Sequence, residues 1–475
     1  MSNDNSYLLS KTDFLLYLEC PMHLWAKVHG QSDLTPSPMM QSLFRQGYEV
    51  EQLALKYLRE FVIRPSAGKR ISSQETFSDV PFAARVDALV HVPATDCYDL
   101  YEIKSSTSVD KEHYWDCAFQ YLVLKQYLRI EHVFLLHLNG EYILRDHLDM
   151  EQLFVAEDVT GKVQEYAESA KDERQKALQV ALREESHGIE HCYSPKSCPC
   201  PQLCHPSLPD FSIYDIAGLH KPKKQALERM GILEAAKVPP IFKLNENQRQ
   251  IVHMAQHGMP LVDQDGIRNA LAQLSFPLYF LDYETFNAAI PMYAGYHPQQ
   301  QMVFQYSLHR LDALGGILTH TEHVCTDRKE PSLDLLSKLS HEVGSCGTVL
   351  VWNKSFEMTR NSEMAEIHPE YQPSLEDMNS RIYDLADFVK KGLYLHPGFR
   401  GSWSIKNVLP VMVPGLSYED MEIGEGGQAS EAWWQMVYGN APLEEKERTR
   451  QALLKYCELD TLAMVRIYER LVEES

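Results

Sequence analysis

One ten-residue segment, PLYFLDYETF from Pro277 to Phe286, constrains the fold of this chain more than any other. Its first half is apolar and aromatic and follows a proline, which predicts a short, fully buried β-strand. Asp282 and Glu284 come at the predicted end of that strand, and side-chain alternation places them on one face. Two carboxylates on one face can bind one divalent cation or two neighbouring cations. Taken alone, however, the segment is explained better as the polar start of a loop.

The length and charge of the chain narrow the classes of protein to consider. Its 475 residues predict two or three domains that each bury their own core. The net charge of −21 argues against passive coating of nucleic acid, because nonspecific duplex-binding proteins are usually basic. An enzyme that binds phosphates locally, through metal ions and a few basic side chains, is compatible with that charge. The sequence lacks a secretory signal and any apolar run of ~20 residues, so we expect a cytoplasmic protein without a membrane partner.

The cysteines are unevenly distributed along the chain. Four of them lie close together in HCYSPKSCPCPQLCH, and another lies near the N-terminus: Cys192, Cys198, Cys200, Cys204 and Cys20. In an intracellular protein such a group binds metal more often than it forms disulfides. Thiolates suit both zinc and an iron–sulfur cluster, so the residues alone leave the two alternatives open.

Two predicted strands and the helix after them carry the candidate chemistry of the first half. They span 81–90, 99–105 and 109–128. Asp87 lies in the first strand, Glu102 and Lys104 share a face of the second, and Gln120 lies on the helix. A carboxylate beside a Glu-x-Lys pair is what a metal-dependent phosphodiesterase needs, because the acids hold the cation and the ammonium stabilises the charged phosphorus centre. The same combination also arises by chance in most long sequences.

Short signals predict local structure elsewhere in the chain. Asn139-Gly140, between two apolar runs, predicts a β-hairpin. Gly315-Gly316 predicts a turn between two further strands. The segment 443–471 predicts a long terminal helix, on which Tyr456 and Asp460 are four residues apart and therefore share a face.

The first half resembles the RecB-type PD-(D/E)xK nucleases that carry an iron–sulfur cluster, a group that includes AddB and the CRISPR-associated RecB-like nucleases. The similarity lies in SKTDFLLYLECPMHLW, in the acidic and lysine motifs and in the late cysteines, and it covers about 8–206. It implies a restriction-endonuclease-like fold. It also implies catalytic roles, with the two acids as metal ligands, for Asp87, Glu102, Lys104 and Gln120. The usual His of the first nuclease motif is missing, and Glu49 or Glu51 is the candidate substitute.

In these families one cysteine before the nuclease core and three after it hold a [4Fe–4S] cluster. The resemblance therefore implies four cluster ligands: Cys20, Cys192, Cys198 and Cys204. Cys200 is a spare thiol that could replace Cys198. A structural zinc site is the alternative.

The second half resembles the DEDD family of 3′–5′ exonucleases, in the variant with Tyr in its third motif. Its three motifs match Asp282 and Glu284, then Asn353 to Glu357 with Glu in place of Asp, and finally Tyr456 with Asp460. The similarity covers about 276–473 and implies an RNase H-like fold. It implies that two Mg²⁺ or Mn²⁺ ions are held by Asp282, Glu284, Glu357 and Asp460, with Tyr456 orienting the attacking water. Asp384 is an alternative to Glu357.

These expectations describe an α/β protein with an N-terminal restriction-endonuclease-like PD-(D/E)xK domain, a helical connector at 207–275 and a C-terminal RNase H-like domain. The implied function is metal-dependent nuclease activity in both halves, in DNA repair, DNA turnover or phage defence. The expected partners are nucleic acid, DNA in preference to RNA, and a helicase or defence-system protein. Two alternatives stay open: a non-catalytic gripping module in the first half, or an inactive interaction scaffold throughout.

Overall fold

The computed structural model describes residues 7–32, 36–66 and 68–475. It is an α/β protein, as the sequence predicts, and it divides into two compact units. The first unit runs to Ser207 and also includes Ala288–Gln300, whereas the second consists of Leu208–Asn287 and Gln301–Ser475. The residues predicted as a connector therefore group with the second unit. None of the helices in these described ranges is long and apolar enough to cross a membrane.

The strands of the first unit are β1 (Leu9–Ser10), β2 (Arg70–Ser73), β3 (Thr76–Asp79), β4 (Phe82–Arg85), β5 (Ala88–Val92), β6 (Cys97–Lys104), β7 (Ile130–Leu138) and β8 (Phe154–Asp158). Its helices are α1 (Lys11–Glu19), α2 (Pro21–Val28), α3 (Pro38–Tyr57), α4 (Lys111–Leu124), α5 (Met150–Leu153), α6 (Thr160–Ala181) and α7 (Pro201–Cys204). Five strands form one sheet in the order β2-β5-β6-β7-β8, and three form a second in the order β1-β4-β3. The Glu102-x-Lys104 motif therefore lies on the central strand of the larger sheet, β6.

The core of the first unit lies on both faces of β6. Leu100 packs in a cluster with α4 and α6, while its neighbour Tyr101 packs in another with α3. This alternation is what a strand buried on both faces requires. The segment Ala288–Gln300 joins the same unit, since Gly295 N and Tyr296 O bond the backbone of Leu144 at 2.8 and 3.0 Å.

Two local predictions for the first unit are corrected by the structure. The segment 81–90 is not one strand: β4 and β5 belong to different sheets, and Asp87 lies in the break between them. The hairpin predicted at Asn139-Gly140 is wrong, because β7 ends at Leu138 and pairs with β8, which begins only at Phe154. The intervening chain instead bonds to Ala288–Gln300, a distant contact that no turn signal reports.

The strands of the second unit are β9 (Leu261–Val262), β10 (Leu278–Asn287), β11 (Gln301–Leu311), β12 (Leu318–Val324), β13 (Thr348–Val351), β14 (Ile382–Asp384) and β15 (Tyr394–Leu395). Its helices are α8 (Lys221–Arg229), α9 (Glu246–His257), α10 (Gln264–Leu271), α11 (Ser332–Glu342), α12 (Lys354–Ile367), α13 (Gln372–Ser380), α14 (Asp387–Lys390), α15 (Ile405–Met412), α16 (Gly426–Tyr438) and α17 (Leu443–Glu474). The main sheet has the order β12-β11-β10-β13-β14. The long terminal helix is confirmed as α17.

The central strand of this sheet is β10, which contains all of the segment Pro277–Phe286 except its first residue. It pairs antiparallel with β11 and parallel with β13, and it is buried along most of its length. The strand continues to Asn287, so Asp282 and Glu284 lie within it rather than at its end, and the pairing register shifts between Glu284 and Thr285. The turn predicted at Gly315-Gly316 is confirmed, since β11 and β12 form an antiparallel pair on either side of it.

Candidate functional site

Three acidic side chains of the second unit converge beside β10. Asp282 and Glu284 share a face of the strand, as their spacing predicts, and Asp460 reaches them from α17. One carboxylate oxygen of each residue lies within 4.8 Å of the others. Glu284 and Asp460 are buried, so these carboxylates have little access to water.

A tyrosine and a lysine that the sequence analysis missed complete the surroundings of these acids. Tyr418 Oη donates a hydrogen bond of 2.6 Å to Asp460 Oδ1. The Lys406 ammonium lies 5.6 Å from the Tyr418 ring centre and 5.5 Å from that of Tyr456. Tyr418 lies in irregular chain between α15 and α16, where no periodic pattern could have identified it. Tyr456 itself is buried, one helical turn before Asp460.

The fourth predicted acid, Glu357, lies in the first turn of α12 and is almost completely buried. Its Oε2 atom has no hydrogen-bond partner among the described residues. The alternative acid, Asp384, is different: it accepts hydrogen bonds from Lys390 Nζ at 2.9 Å, Ala386 N at 3.0 Å and Lys354 N at 3.3 Å. Asp384 is therefore held by three hydrogen bonds, whereas Glu357 keeps one carboxylate oxygen without a hydrogen-bond partner in the described ranges.

Burial raises the pKa of all four acids of the second unit. The pKa of Asp282 lies well above its ordinary value because burial is reinforced by Asp460 and Glu284. Burial and Asp460 raise the pKa of Glu284 to about 8, and burial raises that of Glu357 to about 8. Burial raises the pKa of Asp460 to about 7, against the opposing effects of Tyr418 and Lys406. Clustered carboxyls that resist ionisation suit hard divalent cations, which remove that resistance.

The predicted acids of the first unit lie in a dense network of ion pairs. Lys104 Nζ lies 2.8 Å from Glu102 Oε1 and 2.5 Å from Asp116 Oδ2. Lys11 Nζ lies 2.8 Å from the same Glu102 oxygen and 3.5 Å from Asp116 Oδ1. Gln120 Nε2 donates to Glu102 Oε2 at 2.7 Å and to Asp116 Oδ1 at 2.8 Å. Lys11 and Asp116 were not predicted, although Asp116 precedes Gln120 by one helical turn and could have been found.

The network sets the charge state of its members. Burial would raise the pKa of Glu102, but Lys104 and Lys11 hold it well below its ordinary value. Asp87 accepts a hydrogen bond of 2.9 Å from Ile103 N, and burial together with Glu102 raises its pKa to about 7. Asp87 is therefore the member of this site that is not satisfied by a lysine.

The two candidates for the missing His differ in position. Glu49 is exposed. Glu51 Oε1 accepts a hydrogen bond of 2.5 Å from Gln74 Nε2, and the backbone N of Gln74 donates to Asp87 O at 3.3 Å. Of the two candidates, Glu51 is therefore the one that is linked to Asp87, through the hydrogen bonds of Gln74.

The cysteine group assembles in the first unit around the start of α2. All five members, Cys20, Cys192, Cys198, Cys200 and Cys204, pack in one cluster, and none is in a disulfide. Cys20 lies between α1, which ends at Glu19, and α2, which begins at Pro21. Burial raises the pKa of Cys198 and of Cys204 to about 12, so a bound metal would be needed to hold them as thiolates.

A histidine that the sequence analysis missed lies within this cysteine group. His23 belongs to two sets of possible metal ligands, one with Cys20 and Cys192 and the other with Cys198 and Cys200. Cys198 Sγ lies 3.4 Å from His23 Nε2 and 4.0 Å from Cys200 Sγ. Thiolates around one tetrahedral zinc ion are about 3.8 Å apart at a bond length of about 2.3 Å. The donor set fits a soft metal, and these separations keep the zinc alternative open.

Comparison with known proteins gives partial matches. Residues 279–404 match the family described as Domain of unknown function (DUF2779), which includes Asp282, Glu284 and Glu357 but not Asp460. An uncharacterized protein of Ureaplasma parvum serovar 3 is 27% identical over 226 residues, 43% of this chain and 33% of the relative. An uncharacterized protein of Mycoplasma genitalium is 25% identical over 219 residues, 42% of this chain and 32% of the relative. The chain thus spans about a third of these relatives, and no solved structure matches it significantly.

Proposed function

We propose that the protein is a metal-dependent nuclease that hydrolyses phosphodiester bonds in nucleic acid, with a 3′–5′ exonuclease centre in the second unit. The observation that carries this proposal is the convergence of Asp282, Glu284 and Asp460 near a fourth buried acid, Glu357, whose Oε2 has no partner in the described chain. Uncompensated buried carboxylates are costly unless a cation binds them. A hydrolase that uses divalent cations accounts for that cost.

The residues fit Mg²⁺ or Mn²⁺, which prefer carboxylate oxygens, and the four acids of the second unit would hold them. Bound divalent cations would supply a hydroxide nucleophile at neutral pH and stabilise the leaving oxygen. Burial raises the pKa of Tyr456, so its phenol keeps its proton at neutral pH and can orient a water molecule by a hydrogen bond. Lys406, whose ammonium lies about equally far from the Tyr418 and Tyr456 rings, would provide a positive charge that attracts a phosphate toward the acids.

The architecture of the second unit supports the RNase H-like assignment within this proposal. Its central strand carries the first acidic motif, its neighbouring parallel strand leads into the helix of Glu357, and the terminal helix brings the third motif onto the sheet. These are the motif contexts that the resemblance to the DEDD exonucleases requires.

We propose a second nuclease centre in the first unit, on a restriction-endonuclease-like sheet, with Asp87 and Glu102 as metal ligands. In that role Lys104 would stabilise the charged phosphorus centre and Gln120 would orient Glu102. One observation favours another candidate function for this unit. Lys104 and Lys11 already compensate the buried acids, and each is about one-fifth exposed, 21% and 20%. A non-catalytic module that binds phosphates would need only such compensated acids and partly exposed lysines.

The cysteine group would hold a [4Fe–4S] cluster through Cys20, Cys192, Cys198 and Cys204, or a zinc ion in the alternative. In both cases the site ties the start of α2 to the chain after α6, so metal binding contributes directly to folding. The wider proposal is a DNA-processing role in repair, turnover or phage defence, with a helicase or defence-system protein as partner.

The test is degradation of end-labelled single- and double-stranded DNA and RNA by the full chain, with Mg²⁺ or Mn²⁺. Asp282→Asn should slow stepwise degradation by on the order of 10²-fold or more, because it removes a metal ligand from the reacting centre. Asp312→Asn is the matched control, since Asp312 is an exposed acid of the same unit that pairs with Arg310. Unchanged degradation by Asp282→Asn would refute this centre. An inert wild type on every substrate would favour the interaction scaffold.

A further inference from the structure

A separate group of possible metal ligands lies on the hairpin of β11 and β12 in the second unit. His309 and His320 are directly opposite each other in the antiparallel register, and their rings stack with centres 4.4 Å apart. Glu458 approaches them from α17. One ring nitrogen of each histidine and one oxygen of Glu458 lie within 4.8 Å of one another.

Hydrogen bonds hold one nitrogen of each ring. His309 Nδ1 lies 2.8 Å from Thr461 Oγ1, and His320 Nε2 lies 2.9 Å from Ser307 Oγ. The two hydroxyl oxygens are themselves 2.7 Å apart. Metal-binding histidines commonly bond a second group through the nitrogen that does not hold the metal, which fixes the tautomer and the ring orientation. Each ring here is fixed in that way, and His320 Nδ1 lies 3.8 Å from Glu458 Oε1.

The charges around the group favour a cation. Two carboxylates are present: Glu458, which is partly exposed, and Glu322, whose Oε2 is buried without a hydrogen-bond partner in the described ranges and lies 4.0 Å from His320 Nε2. The cation that acts on His309, Arg466, is paired with Glu469 at 2.7 Å.

We propose that His309, His320 and Glu458 form a transition-metal site, with zinc as the expected ion, distinct from the carboxylate site for Mg²⁺ or Mn²⁺. Two imidazoles and a carboxylate are ligands that zinc accepts, and the partly exposed side at Glu458 leaves a position for water and a path of entry. Hard cations such as Mg²⁺ prefer sites made only of oxygen, so the two sites select different metals.

The site has a structural consequence for α17. Glu458 and Thr461 lie on either side of Asp460 in the sequence, and both belong to the group that fastens α17 to β11 and β12. A metal bound there would fix the helix against the sheet and so position Asp460 near Asp282. His309 and His320 act in this scheme as positioning residues and touch no substrate.

The test uses the metal-free full chain and Co²⁺ as a spectroscopic probe, because Co²⁺ replaces zinc and its spectrum reports the ligand type. The wild type should bind one more Co²⁺ per chain than His309→Ala or His320→Ala. The difference spectrum should contain d–d bands without thiolate charge transfer, which separates this site from the cysteine group. His323→Ala is the matched control, since His323 lies on β12 and bonds Lys338 at 2.9 Å instead. It should bind as many ions as the wild type.

A further variant protects the test against misfolding. Glu458→Gln changes a partly exposed group and should keep the fold while weakening Co²⁺ affinity by on the order of 10-fold or more. Zinc should also raise the unfolding temperature of His323→Ala by more than that of His320→Ala, since any zinc at the cysteine group stabilises both variants equally. Equal Co²⁺ stoichiometry in the wild type and both histidine variants, or an unchanged affinity in Glu458→Gln, overturns the proposal. Neither measurement depends on nuclease activity.

Discussion

The two acidic sites of this protein use the same residue types, but the pKa values of their glutamates are shifted in opposite directions. In the first unit, Glu102 is surrounded by Lys104, Lys11 and Gln120, and its pKa is held well below its ordinary value. In the second unit, Glu284 and Glu357 have no side-chain hydrogen bond of this kind among the described residues, and burial raises the pKa of each to about 8. Glu102 is compensated by side chains of its own unit, whereas Glu284 and Glu357 lack such compensation in the described ranges.

A carboxylate motif therefore does not define a metal site until the charges around it are known. Asp-x-Glu and Glu-x-Lys look equally suggestive in the sequence. In the structure Lys104 Nζ of the Glu-x-Lys motif lies 2.8 Å from Glu102 Oε1. A metal ion bound by Glu102 would have to displace this ammonium or share the carboxylate with it. The second unit is therefore the stronger candidate for obligate metal dependence, and the comparison can be tested quantitatively.

The largest expected effect is on the stability of the first unit. Lys104→Met leaves Glu102 and Asp116 with one ammonium fewer and should destabilise the metal-free protein by about 3 kcal/mol, the lower end for a broken buried pair. Urea unfolding, followed by hydrogen exchange of peptides from β6 and α4, measures it. Lys162→Met, which removes an exposed pair with Glu165, is the control and should leave exchange unchanged. Equal protection from hydrogen exchange in Lys104→Met and Lys162→Met would show that the buried ion pairs of Lys104 stabilise the first unit no more than an exposed pair does.

The next largest effect is the increase in stability of the second unit when a divalent cation binds it. Mn²⁺ at about 100 times its dissociation constant should stabilise this unit by about 2.7 kcal/mol, because it binds the folded state alone. A chelator should reverse the gain, and Asp282→Asn should abolish it. Thermal unfolding of the wild type and of Asp87→Asn, with and without Mn²⁺, measures the comparison. A gain that vanishes in Asp87→Asn and persists in Asp282→Asn would reverse the assignment.

The contributions of Glu102 and Glu357 to the pH dependence of stability should have opposite signs in the metal-free protein. The lowered pKa of Glu102 gives stability that is present above its ordinary pKa and lost as the pH falls. The raised pKa of Glu357 gives stability that is present below its ordinary pKa and lost as the pH rises through about 8. Each carboxyl contributes at most about 1.4 kcal/mol per pH unit.

Hydrogen exchange from about pH 3 to about pH 8 measures both contributions in one protein, because this range covers the ordinary pKa of Glu102 and the raised pKa of Glu357. Glu357→Gln should flatten the loss of protection around α12 at high pH and leave β6 unchanged. An unchanged loss of protection around α12 at high pH in Glu357→Gln would contradict the role given to the raised pKa of Glu357.

The smallest expected effect concerns Glu51, the candidate that the fold connects to Asp87. Glu51→Gln should change the free energy of unfolding by no more than about 0.5 kcal/mol, because the Gln74 contact is only partly buried. Any nuclease activity that survives Asp282→Asn should then fall in Glu51→Gln if Glu51 replaces the missing His. The exposed Glu49→Gln is the paired control, and equal activity in the two variants excludes Glu51 from that role.

The sequence predicted those parts of the sites that depend on local periodicity. Asp282 and Glu284 share a face because they are two apart on a strand, and Tyr456 and Asp460 lie one turn apart on a confirmed helix. Lys11 could not be found in this way, because it meets Glu102 across 91 positions of chain. Such contacts are fixed by the packing of α1 near β6, which no spacing rule encodes.

The segment Ala288–Gln300 carries a practical consequence for anyone who divides this protein into pieces. It lies between β10 and β11 in the chain, yet it belongs to the first unit, where Gln299 Nε2 bonds Ser105 O at 2.7 Å and Gly295 N bonds Leu144 O at 2.8 Å. A truncation after Ser207 discards it and leaves both carbonyl groups without these donors. A division that follows the two units would therefore delete Ala288–Gln300 from the second half. The same segment would be supplied to the first half as a peptide.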